Sequence, residues 1–131
     1  MTFFVMNEST VPYELTFEER KGYLCANAKC DEITLDVELA LMMEIADKLN
    51  ELDIERVMIR RDIPTCLPDG AVFVVVERYV EMVSNITRTG IVNAYPGNTA
   101  SLAFASLVAE NRGAHLRAFD EYPDAEAWLC K

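Results

Sequence analysis

The chain holds a single histidine, His115, which excludes any metal site built on two imidazoles and leaves a general base with no nucleophile beside it in sequence. Cysteine occurs four times, at Cys25, Cys30, Cys66 and Cys130, but never as a C-x-x-C pair. The four read as reduced thiols rather than as a disulfide framework, and no metal is assigned to them. Long apolar runs are missing as well. The run 71–76 has six residues, against roughly 20 for a membrane-spanning helix. Basic residues are scarce: 12 Lys and Arg stand against 22 Asp and Glu, a net charge of −10. Such a field repels phosphate backbones and anionic headgroups, so nucleic acid is not an expected partner, and the acid excess reads as solubility ahead of an acidic recognition surface. No basic segment opens the chain, which fits a cytoplasmic protein. No G-x-x-x-x-G-K-[ST] loop or other cofactor fingerprint is present, and no cofactor is expected.

What remains is 131 residues, 51% hydrophobic, enough for one domain with a real core. Residues 13–18 and 23–28 alternate in part around Glu19-Arg20-Lys21-Gly22, as an opening β-hairpin does. From Asp36 the period changes. Leu35, Leu39, Met42, Met43, Ala46 and Leu49 recur at three and four residue intervals and predict a helix to about Leu52, capped by Thr34 or Asp36. Residues 56–61 predict a buried strand around Val57, Met58 and Ile59. Residues 63–70, with Pro64, Pro68 and Gly70, form a loop.

Residues 71–85 have strand-like valines but helical spacing at Val72, Val76, Tyr79, Val80 and Val83, and their length favours a helix. Residues 89–94 form a strand, and Tyr95-Pro96-Gly97-Asn98-Thr99 turns it into a helix over 98–112. In that helix Ala100, Ala103, Ala105 and Ala109 permit close approach to the sheet, with Phe104, Leu107 and Val108 filling the space between. Gly113 supplies a left-handed cap. Residues 115–119 make a last strand, with His115 partly buried in it, and residues 122–130 make a closing helix with Pro123 in its first turn. The sum is an α/β fold: a mixed five-stranded sheet, an opening hairpin, alternating helix and strand units, and about four helices in a single domain over 1–131.

The stretch Asn111-Arg112-Gly113-Ala114-His115-Leu116-Arg117-Ala118-Phe119, followed by Ala125-Glu126-Ala127-Trp128-Leu129, resembles the ending of the SpoIIAA-like proteins, relatives of the STAS domain. In that family a helix ends, a strand closes on Phe, and an Ala-x-x-Trp-Leu helix finishes the domain. The resemblance implies a STAS-like mixed sheet with helices on one face, related in architecture to the CRAL-TRIO lipid-binding fold. It also implies a regulatory role through protein contact, switched in classical members by phosphorylation of a serine in an Asp-Ser-x-Gly setting. The matching loop here is Asp62-Ile63-Pro64-Thr65-Cys66-Leu67-Pro68-Asp69-Gly70, which has no serine. Matching Gly70 to the motif glycine places Asp69 where the phosphoacceptor sits.

The candidate sites follow from these elements. In the loop, Asp69 is a fixed negative charge or a helix cap, Thr65 the one hydroxyl, Cys66 a thiol near helix amides, and Gly70 the motif glycine. Val72, Val76, Tyr79, Val80 and Val83 form a stripe that serves the core or faces a partner or an apolar ligand. Gly97, Asn98 and Thr99 form a turn at a helix start, an anion cradle or a plain connection. The leading expectation is a non-enzymatic module of the STAS-like type that binds a protein partner or a second copy, as a homodimer, through the loop and the helix after it. A carrier of a small apolar, lipid-like ligand is the second. An enzyme assembled around His115 or Cys66 is the third.

Overall fold

A computed structural model describes residues 2–6, 13–83 and 88–131. One sheet contains β1 (Thr2–Met6), β2 (Glu14–Arg20), β3 (Tyr23–Lys29), β4 (Arg56–Asp62), β5 (Arg88–Asn93) and β6 (Leu116–Phe119), side by side in chain order. The first two pairings are antiparallel and the other three parallel. All five expected strands are present, and the α/β class with its opening hairpin is the observed one. β1 is an additional edge strand, running from Thr2 opposite Glu18 to Met6 opposite Glu14. Gly22, at φ 93°, makes the hairpin turn between β2 and β3.

Helices α1 (Leu35–Leu52), α2 (Asp69–Met82) and α3 (Thr99–Glu110) join the parallel strands, and α4 (Tyr122–Leu129) follows β6. Each of these crossovers joins strands that are neighbours in the sheet, and α1, α2 and α3 pack side by side on one face. There Leu15, Phe17, Leu24, Val57, Ile59 and Ile91 meet the helices in the main core. α4 lies on the other face, where Ala125 and Leu129 bury Tyr23, Cys25 and Met58. The arrangement with all helices on one face, implied by the resemblance, is therefore corrected. The central strands β3 and β4 are apolar on both faces, and α4 covers what the crossover helices leave bare. Gly90 lies directly beneath it, since a Cβ there would come within 3.5 Å of Leu129. Arg56 and Arg88 donate to the Leu129 and Trp128 carbonyls at 2.5 and 2.7 Å and fix the helix end.

The helices differ from expectation in which residues they bury. Thr34 caps α1, its hydroxyl accepting from the Val37 amide at 3.3 Å. The inward face is Leu41, Met42, Ile45, Ala46 and Leu49, whereas Met43 is 48% exposed. α2 begins at Asp69 and ends at Met82, and positions 84 and 85 of the expected helix lie outside the described residues. α3 turns Ala105, Val108 and Ala109 inward, while Ala100 and Ala103 are exposed and Leu107 is 58% exposed. Leu107 does not fill the space against the sheet. At 3.6 residues per turn it lies about 160° from Ala105, outside the inward arc. His115 also departs from expectation. It precedes β6, its side chain is 62% exposed, and it lies 3.8 Å from the Glu110 carboxylate, because Leu116 takes the buried position.

Candidate functional site

The carboxyl ends of the parallel strands gather three connections, β3 to α1, β4 to α2 and β5 to α3, the place where α/β sheets present their binding surfaces. They are tied to one another. The Ile33 amide donates to Thr65 Oγ1 at 2.9 Å, joining the first connection to the second. Asn98, buried, donates from Nδ2 to the Ile63 carbonyl at 2.9 Å and to the Thr65 carbonyl at 3.5 Å, joining the second to the third. The Tyr95 hydroxyl donates to Asp62 Oδ1 at 2.6 Å, and this carboxylate pushes the Tyr95 phenol pKa upward. The Cys30 amide donates to the Asp62 carbonyl at 3.3 Å.

A buried ion pair completes the frame. Arg61, at the end of β4, donates from both terminal nitrogens to the two oxygens of Glu38, in the first turns of α1, at 2.7 and 3.0 Å. The side chains are only 12% and 8% exposed. Sequence reasoning missed this pair although a signal was present. Glu38 falls in the middle of the apolar face formed by Leu41, Met42 and Ile45, and Arg61 shares its strand face with Val57 and Ile59. Two opposite charges on two apolar faces require each other.

Between this frame and the sheet lies a cavity of about 70 Å³. Ile59, Ile91, Val72, Val76 and Tyr79 line its depth, and Glu38, Arg61, Thr65, Cys66, Asn98 and Ser101 line the polar remainder. The Tyr79 hydroxyl pairs with Thr89 Oγ1 at 3.1 Å in the core, and burial pushes the phenol pKa up to about 12.

The sequence-derived candidates separate into three groups. Thr65 and Cys66 are exposed on the loop, with Thr65 anchored through its hydroxyl, whereas Asp69 and Gly70, expected to end the loop, are exposed in the first turn of α2, so the loop itself spans 63–68. Asp69 is the first residue of α2, not its cap: Pro68 occupies the cap position and no side chain closes the helix start. Val72, Val76 and Tyr79 are buried and face the cavity, so a protein partner cannot touch them without opening the core. Val80 and Val83 are half-buried at the other end of the helix, beside a recess of about 110 Å³ that also contains Arg112 and His115. In the turn, Gly97 and Thr99 are exposed, whereas the Asn98 side chain is committed to the neighbouring loop and the Thr99 amide to the Pro96 carbonyl.

Cys25 and Cys30 are buried, and burial raises the pKa of both thiols. Among the described residues no group of three or more His, Cys, Asp or Glu side chains is arranged to hold a metal ion, and no helix is long and apolar enough to cross a membrane. No protein-family model matches the chain, and no curated protein matches it either.

Proposed function

We propose that the protein is a non-enzymatic interaction module of the STAS-like type, and that its segment 63–70 docks onto a protein partner. The observation that carries this reading is a loop both exposed and fixed. Residues 64–66 and 68–70 face solvent, while Thr65 Oγ1 and the Ile63 carbonyl are held from behind by Ile33 and Asn98. A surface already held in one shape loses less conformational entropy on docking. Asp69 stands at the amino end of α2, where the helix dipole favours a negative charge, and in this loop without a serine it acts as a permanent substitute for a phosphate. The partner surface opposite it is basic. The opening hairpin, the alternating units and the closing Trp128-Leu129 helix support kinship with the SpoIIAA-like proteins.

Two features favour this reading over the others. The cavity of about 70 Å³ is far below the roughly 300 Å³ at which small-molecule sites begin, which weighs against a lipid-like cargo held between the sheet and α2. Cys66 follows the carboxyl end of β4 whereas His115 precedes β6, so the two groups sit at opposite ends of the sheet and do not combine into a nucleophile and base. The test is quantitative affinity purification from the native source with wild type and Asp69→Lys. Loss of a specific protein with Asp69→Lys, at unchanged folding by circular dichroism, is the expected result. A set of retained proteins identical for both refutes the loop as the docking surface.

A further inference from the structure

Helix α4 has eight residues, and no side chain caps its start. A helix of two turns is not stable by itself in water, so α4 is held by what it rests on. That support is separate from the main core. Beneath Ala125 and Leu129 lie Tyr23, Cys25 and Met58 on the far face of the sheet, a cluster that shares no buried residue with the one under α1, α2 and α3. Only Ala125 and Leu129 of α4 are fully covered. The other attachments are polar and lie at the rim. Arg20 donates to the Tyr122 hydroxyl at 2.7 Å, the Arg60 guanidinium stands 5.1 Å from the Tyr122 ring centre, and Arg56 and Arg88 hold the carbonyls at the helix end. Glu126 accepts from the hydroxyls of Tyr23 and Tyr122. Water replaces such bonds when the helix departs, which keeps the cost of release small beside that of opening the main core.

We propose that α4 is a latch that leaves the sheet as a unit while the main core stays folded. Release uncovers a floor of Tyr23, Cys25 and Met58 bordered by Arg20, Arg56, Arg60 and Arg88. These are four of the 12 basic residues in a chain of net charge −10, so the latch conceals a cationic face in an acidic protein. In the closed state α4 itself occupies that face. The device does not involve segment 63–70 and is independent of docking there.

Cys25 is fully buried under α4 and serves as the reporter. Alkylation of the intact protein by dilute iodoacetamide, followed at Cys25 by peptide mass mapping, tracks the equilibrium population of the open form. Ala127 is exposed on α4, so Ala127→Gly weakens the helix and should speed Cys25 alkylation about fivefold. Arg61→Met breaks the ion pair with Glu38 on the opposite face, which the latched and the released forms both keep, and should leave the Cys25 rate at the wild-type value. If Cys25 were reached only by global unfolding, Arg61→Met would speed it about a hundredfold or more, and that result overturns the proposal. An Ala127→Gly rate equal to wild type overturns it as well. Wild type alone supplies a second measurement: the Cys25 rate should rise only weakly with urea below the unfolding transition, and a slope equal to that of global unfolding refutes a local opening.

Discussion

Replacing Arg61 by Met leaves the Glu38 carboxylate buried without its partner at the frame of the candidate site. The pair is bidentate, at 2.7 and 3.0 Å, and its side chains are 12% and 8% exposed. Breaking a fully buried pair costs about 3–5 kcal/mol, and the small residual exposure places this one near the lower end, about 3 kcal/mol. For 131 residues, at about 2.1 cal/mol/K each, the unfolding entropy is roughly 0.28 kcal/mol/K, so the melting temperature should fall by about 11 °C. The reciprocal Glu38→Leu should cost a similar amount, because it strands the guanidinium. The double variant should recover most of the loss, since two apolar side chains of similar volume need no partner. Urea unfolding of the four proteins as a double-mutant cycle measures the coupling. Single variants within about 0.5 kcal/mol of wild type, or a double variant equal to the sum of the singles, would refute the reasoning.

Two further outcomes follow from the geometry. Asn98→Ala removes the donor that holds the Ile63 carbonyl, and Ile63 is fully buried, so the variant should lose about 2 kcal/mol. Its signature is local: amides of residues 65–67 should exchange faster by hydrogen-exchange mass spectrometry, by more than those of β2 and β3, and unchanged loop exchange would show that the loop is not held by this bond. Tyr79 has its folded-state pKa raised from 10 to about 12 by burial, so its contribution is fully present below pH 10 and is lost as pH rises from 10 to about 12. Tyr79→Phe should cost about 1 kcal/mol at pH 7 by stranding the Thr89 hydroxyl, and its difference from wild type should shrink through that alkaline window; a constant difference in chemical-denaturation curves from pH 9 to 12 would contradict the assignment.

The elements were legible where local periodicity is strong. The spacing of Met42, Ala46 and Leu49 marks α1, and the charged bend ending at Gly22 marks the hairpin, because both are determined within a few residues. What was not legible depends on contacts distant in sequence. Ile33 and Thr65 are 32 residues apart and Asn98 and Ile63 are 35 apart, so nothing local announces that the three connections are laced together. The valine stripe of α2 signalled a helix, but its role depends on α2 lying between α1 and α3, which closes Val76 off from solvent. Conversely, α3 has apolar residues on every side and only small hydroxyls between them, so composition does not tell which arc meets the sheet, and Leu107 reads as inward on hydrophobicity alone. β1 forms against β2 from a segment whose pairing partner is named only by the tertiary register.

The proposed docking surface is the exposed loop 63–68 with Asp69 and Gly70 at the start of α2. Affinity purification with Asp69→Lys and Leu107→Asp in parallel tests it most directly, because one variant alters that surface and the other the outer face of α3. The expected result is a protein retained by wild type and by Leu107→Asp but lost with Asp69→Lys. Equal retention by all three proteins would contradict it.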